Sequence, residues 1–193
     1  MKKGRLEAFT DAVIAIIMTI LVLELPLPHG NTFHALLHER EKIIIYLVSF
    51  LTLVIYWNNH HHMFYIIHKV NGHVLWMNNL FLFFLSLFPF STNWTGENLF
   101  SRDPQIFYGC IILGADVTYF FLVKLLIKEN GHNSHVAELF GDSQKMKVTL
   151  CLNIIALFAG FILPILTMIV NIIMILLWVI PDRRVERVFK NRF

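Results

Sequence analysis

The sequence predicts an all-α integral membrane protein, with six transmembrane helices in a single domain over residues 1–193 and both termini cytoplasmic. Three observations predict it. Of 193 residues, 56% are hydrophobic and 15% charged, against roughly 25% charged in a soluble domain, so most helix surface has to face lipid or another helix. The apolar residues gather into runs near the roughly 20 residues that cross a hydrocarbon core. With six spans drawn, 13 of the 16 Lys and Arg residues share one side, and that asymmetry sets orientation. The mean hydropathy of +0.63 and the 18 Phe agree, because aromatic bulk at this density is costly to expose to water.

The spans follow in order. The first covers about 9–27 and is stopped by Pro26, Pro28 and Gly30. Lys2-Lys3 followed by an apolar run superficially resembles a secretory signal. The run lacks a small-residue cleavage site and carries Asp11 and Glu24 at its ends, so it reads as a retained helix. Segment 29–42 holds a short helix outside the bilayer. The second and third spans, 43–66 and 74–94, are divided by Asn71-Gly72. Thr95-Gly96-Glu97 and Asp103-Pro104 precede the fourth, 106–127. The polar stretch 128–146 is the longest loop. Pro164 alone separates the fifth span, 147–163, from the sixth, 165–181. Only Arg40, Lys42 and Arg102 lie on the outer side. The basic end, with Arg183, Arg184, Arg187, Lys190 and Arg192, reads as a juxtamembrane tail near anionic lipid rather than a nucleic-acid site. Cys110 and Cys151 sit inside apolar runs and read as packing, not as a disulfide or a metal pair.

The first helix is the informative one. At 3.6 residues per turn, Ala12, Ile16, Ile20, Leu23 and Leu27 fall within about 40° of Ile16 and form one stripe. Thr19 flanks it at about 60°, Glu24 borders its other side, and Asp11 lies about 140° away. The carboxylate and the stripe therefore cannot face one environment. A stripe facing lipid leaves an ordinary helix; a stripe facing a symmetry axis is a hydrophobic pore lining with Asp11 as its anchor to its own subunit. Periodicity leaves both open. Asp11 is expected to pair with Arg5 or with a second-span histidine such as His61.

Several positions together carry a family resemblance. Arg5-x-x-x-Phe9-Thr10-Asp11 resembles the Arg-x-x-x-Phe-Ser-Asp signature of the transmembrane-protein-175 family, the lysosomal potassium channels and their prokaryotic relatives. Ala12-Val-Ile-Ala-Ile16-Ile-Met-Thr19 continues the likeness. So do Trp57-Asn-Asn-His60-His61-His-Met-Phe64, Trp76-x-Asn78-Asn79-Leu80 and Pro89-Phe90-Ser91-Thr92. Length, span number and orientation resemble a single-repeat prokaryotic member across the chain. The departure is Thr10 in place of serine, which keeps the hydroxyl. The resemblance implies a homotetramer in the cell membrane, with first helices lining a potassium-conducting pore. It implies a constriction at Ile16, further apolar layers at Ile20 and Leu23, and a role in potassium preference for Thr19. An apolar ring gates by dewetting, and hydroxyls replace part of an ion's hydration shell. Glu24 at the mouth either concentrates cations or is an interfacial acid without a role. His60 or His61 is expected to join a buried network with Asn78 or Asn79.

Other constellations carry less. His60-His61-His62 and His34-x-x-x-His38 have metal-ligand spacing, but the predicted topology puts them on opposite sides, so no metal site is expected. Asp116, inside the fourth span, reads as a partner for a neighbouring helix or as a proton or ion relay. Asn153 and Asn171 read as polar contacts between helices. No Arg-rich voltage sensor and no Thr-Val-Gly-Tyr-Gly filter occur, and nothing resembles a phosphate loop or a nucleophile elbow. The expectation is a passive channel, not an enzyme, with no cofactor and potassium as the permeant ion. The rivals are a secondary transporter or proton-leak protein using Asp11, Asp116 and the histidines, and a membrane metalloenzyme. A transporter usually shows inverted repeats and helices broken at the midplane, and neither is visible.

Overall fold

Caps and prolines set the helix boundaries. The computed structural model describes residues 2–141 and 143–179; the basic end and the last residues of the sixth predicted span lie outside them. Helix α1, Lys3–Leu23, starts before the predicted 9–27 because Leu6 is already fully buried, and it stops short of Pro26. Helix α2, Phe33–His38, is capped by Thr32, whose hydroxyl accepts from the Ala35 N–H. Helix α3 runs Arg40–Ile66. Asn71 then caps α4, Gly72–Ser86, by accepting from the Val74 N–H.

The third predicted span is a bent pair. Helix α5, Phe88–Glu97, continues α4 after a break at Leu87. Pro89 has no N–H to return to the Leu85 carbonyl, which is the ordinary cause of such a bend. Helix α6, Arg102–Asn130, is longer at both ends than the predicted 106–127. The predicted loop 128–146 contains a further helix, α7, His135–Phe140, capped by Ser134. It forms because Val136, Leu139 and Phe140 bury one face of its turns. Helices α8, Gln144–Gly160, and α9, Ile165–Val179, flank Pro164.

Four elements are long and apolar enough to cross a membrane: Lys3–Leu23, Arg40–Ile66, Gly72–Glu97 and Arg102–Asn130. They coincide with the first four predicted spans. Among the described residues α8 holds 17 residues and α9 holds 15, fewer than the roughly 20 of an ordinary span. The described residues contain no strand. Helix α6 is the centre of the packing, against α4, α5, α8 and α9, while α3 lies on α1, α5 and α9. One apolar core runs through α1, α3, α4 and α6, with Ile14, Leu53, Phe81 and Leu122 fully buried or nearly so. Inside it, the Ser49 hydroxyl meets Thr92 at 2.7 Å and Tyr108 at 2.9 Å, joining α3, α5 and α6 without a charge.

Helix α4 packs its Phe84 ring directly onto Gly114 of α6. A Cβ there would collide with that ring. Gly114→Ala is expected to destabilise the protein by about 1–3 kcal/mol, the usual cost of forcing extra volume into a packed core. Thermal unfolding in detergent reads it; an unchanged melting temperature would show that the Phe84 ring swings aside freely.

Candidate functional site

Helix α1 has two faces. Leu6, Thr10, Ile14, Ile17 and Leu21 recur every three or four residues and are buried against α3, α4 and α5. On the other face the stripe is bare in a single subunit: Ile16 is 57% exposed, Ile20 40% and Leu23 80%. Thr19 shares that exposed face. Its hydroxyl donates to the Ile16 carbonyl at 2.7 Å, so its hydrogen is occupied within the helix and its oxygen is left as an acceptor.

The buried face is fastened by polar groups in the N-terminal half. The Asn78 amide donates to Thr10 Oγ1 at 2.8 Å, and its Oδ1 meets His60 Nε2 at 2.8 Å. All three residues are fully buried. Because the Asn78 amide nitrogen is already donating to Thr10, this chain of bonds assigns the donor role to His60 Nε2. The His60 ring also stacks on Phe64 at 4.1 Å, one turn along α3. The chain therefore runs from α1 through α4 to α3.

Beside it lies a half-exposed ladder. Asp11 accepts from the Trp57 indole N–H at 3.0 Å, Trp57 stacks on His61 with ring centres 5.8 Å apart, and His61 Nδ1 lies 3.6 Å from Glu7. Glu7 and Asp11 are one turn apart on α1, as Trp57 and His61 are on α3, so the rungs match. The expected pairing of Asp11 with Arg5 or His61 is not the one formed. Six residues separate Arg5 from Asp11, placing them about 120° apart around the helix, and His61 is taken by Glu7. Both missed partners, Glu7 and Trp57, had a sequence signal in that shared spacing.

The remaining signature residues lie apart. Arg5, Phe9 and Trp76 are exposed, and the Asn79 Oδ1 is buried without a hydrogen-bond partner among the described residues. At the far end of α1, Glu24 accepts from the Asn93 amide of α5 at 2.9 Å. Deep between helices, Asp116 accepts from the Tyr56 hydroxyl at 2.7 Å and from the Asn153 amide, linking α6 to α3 and α8. His34 and His38 meet edge to face in α2, at the opposite end of α3 from His60 and His61.

Residues 5–89 match the model of the family described as endosomal/lysosomal potassium channel TMEM175. That segment holds α1 from Arg5 onward and every residue of the buried chain and the ladder. A curated protein from Chryseobacterium sp., named a potassium channel, is 38% identical over 191 residues, covering 99% of this chain and 100% of the relative. The chain belongs to the TMEM175 family. A second relative bearing the name potassium channel, from Streptomyces collinus, is 35% identical over 102 residues, covering 51% of this chain and 50% of the relative. The crystal structure of a lysosomal potassium-selective channel TMEM175 homologue from Chamaesiphon minutus superposes with a TM-score of 0.81 at 25% identity, covering 92% of this chain and 96% of that one. This TMEM175 member is thus an integral membrane protein of a channel family.

The ladder carries a modest expected effect. Asp11→Ala removes one hydrogen bond to a half-exposed carboxylate, so the loss should be about 1–2 kcal/mol, well below that of an uncompensated buried charge. Size-exclusion profiles and flux measured side by side decide its role. A normal assembly with reduced cation conductance would place Asp11 in the ion pathway instead.

Proposed function

We propose that this protein is a subunit of a potassium-selective channel that conducts passively, as a homotetramer in the cell membrane. In this reading residues 1–193 form one channel domain of six spans, with α8 and α9 completing the count and both ends cytoplasmic. Four copies of α1 surround the axis. Ile16, Ile20 and Leu23 form the apolar constriction, and Thr19 turns its acceptor oxygen toward a passing cation. Carbonyl and hydroxyl oxygens are the ligands that replace an alkali ion's water.

The observation that carries the reading is the division of labour on α1. One face is tied to α3 and α4 by bonds that fix its rotation, and the other holds a bare apolar stripe with one hydroxyl on its flank. The stripe alone would also suit lipid; the hydroxyl on its flank, with an acceptor oxygen still available, is what favours an ion path. The names of the relatives favour the same reading, as does the absence of charge along the stripe. Arg5, Phe9 and Trp76, which are exposed in the subunit, are then residues for the contacts between copies or with lipid. Glu24, bonded to Asn93, sits at the outer mouth.

Reversal potentials of the reconstituted protein in mixed potassium and sodium test it. Thr19→Ala should move the reversal potential toward the sodium value while conduction persists, because the hydroxyl on the flank of the constriction is gone. An unmoved potential would remove Thr19 from selectivity, and potassium flux absent from well-assembled protein would sink the channel reading itself.

A further inference from the structure

A cavity of about 60 Å³ lies among α3, α6, α8 and α9, away from α1. That is room for roughly four waters. Asp116 lies on its wall, held by Tyr56 and Asn153. Both of those bonds donate to the carboxylate, an arrangement that prepares it to carry negative charge. Yet no ion pair among the described residues includes Asp116. An ionised carboxylate within a membrane-spanning helix is costly unless a cation meets it.

The opposite requirements are also present. Tyr119, one turn along α6 from Asp116, lines the same cavity; it is 5% exposed and its hydroxyl has no hydrogen-bond partner among the described residues. Asn171, 4% exposed, lines the cavity from α9. The wall also carries Thr52, Asn59 and Thr149, beside an apolar and aromatic part formed by Ile55, Ile112, Met174, Ile175 and the Trp178 ring. A bare metal ion asks for a shell of oxygens all round, and the apolar side of this wall leaves such a shell incomplete. A primary ammonium asks for three acceptors on one side and apolar surface on the other. Asp116, Tyr119 and Asn171 supply three acceptors, and the indole adds a face that attracts cations.

We propose that this cavity is a second ligand site, separate from the α1 stripe, that takes a small primary alkylammonium ion, with its nitrogen on Asp116, Tyr119 and Asn171 and its short alkyl chain against Met174, Ile175 and Trp178. The site does not depend on α1 lining a pore, so binding is read without conduction. The test titrates purified full-length protein with n-butylammonium chloride and follows tryptophan fluorescence, with Trp178→Phe assigning the signal to this cavity. Tetramethylammonium chloride, which has the charge but no N–H, is the control.

The expected result is a saturable change with n-butylammonium and none with tetramethylammonium. Asp116→Asn, nearly isosteric, should weaken binding about tenfold or more, as the loss of a hydrogen bond to a charged group implies. Tyr119→Phe removes only an unpartnered hydroxyl, keeps the fold, and should weaken binding about threefold. Equal saturation by both cations overturns the proposal. So does unchanged affinity in both variants, or a fluorescence change that persists undiminished in Trp178→Phe. Should Asp116→Asn fail to assemble on size exclusion, Tyr119→Phe decides alone.

Discussion

Ile16→Asn should raise cation flux through the reconstituted protein on the order of tenfold, the largest functional effect expected of any single change. A ring of isoleucines excludes water because an ion entering it gives up hydration and gains nothing. An amide of similar size offers both donor and acceptor, so water wets the ring and the ion keeps part of its shell. The fold should tolerate the change, since Ile16 is 57% exposed within the subunit and leaves no cavity in the core. Liposome flux with a size-exclusion check on assembly measures it. Unchanged flux from normally assembled protein would mean that this face of α1 points at lipid, and the proposed pore would have to be moved elsewhere.

The largest structural effect should come from Asn78→Leu. The leucine removes the amide that serves Thr10 and His60 at once. Both partners are fully buried, so neither can turn to water. Each orphaned group costs about 1–3 kcal/mol, giving roughly 2–6 kcal/mol together. Replacing His60 by Phe in the same background should recover part of it, because an apolar ring leaves one fewer unpaired group. Thermal unfolding of the single and double variants reads the coupling. Equal melting temperatures for Asn78→Leu and the wild type would show that the three-residue chain adds nothing to stability.

The first four spans were legible in the sequence because each combines an apolar run with a proline, glycine or charge at its edges. The bend at Leu87 was less legible. Pro89 stands inside a run that reads as continuous by hydropathy, and a window of residues averages over a single missing N–H. Helix α7 was hidden by the polar stretch around it; only Ser134 and three apolar residues at helical spacing signalled it. In α1 the stripe was fully visible, since it depends on phase alone. Its fastenings were not, because they depend on which α3 residues come level with Glu7 and Asp11, and level is set by packing. The shared one-turn spacing of Glu7 with Asp11 and of Trp57 with His61 pointed to a ladder without saying which rung met which.

The distribution of polar ties along α1 has a mechanical consequence. Thr10 and Asp11 fasten its first half to α3 and α4, and Glu24 fastens its far end to α5. Between them Ile14, Ile17 and Leu21 hold the helix through apolar contact, with no side-chain hydrogen bond to a neighbouring helix among the described residues. Apolar contacts have no preferred direction, so this middle length can bow while the pins at its ends hold. Helix α1 is a beam pinned at both ends, and Ile16, Thr19 and Ile20 all lie on its span.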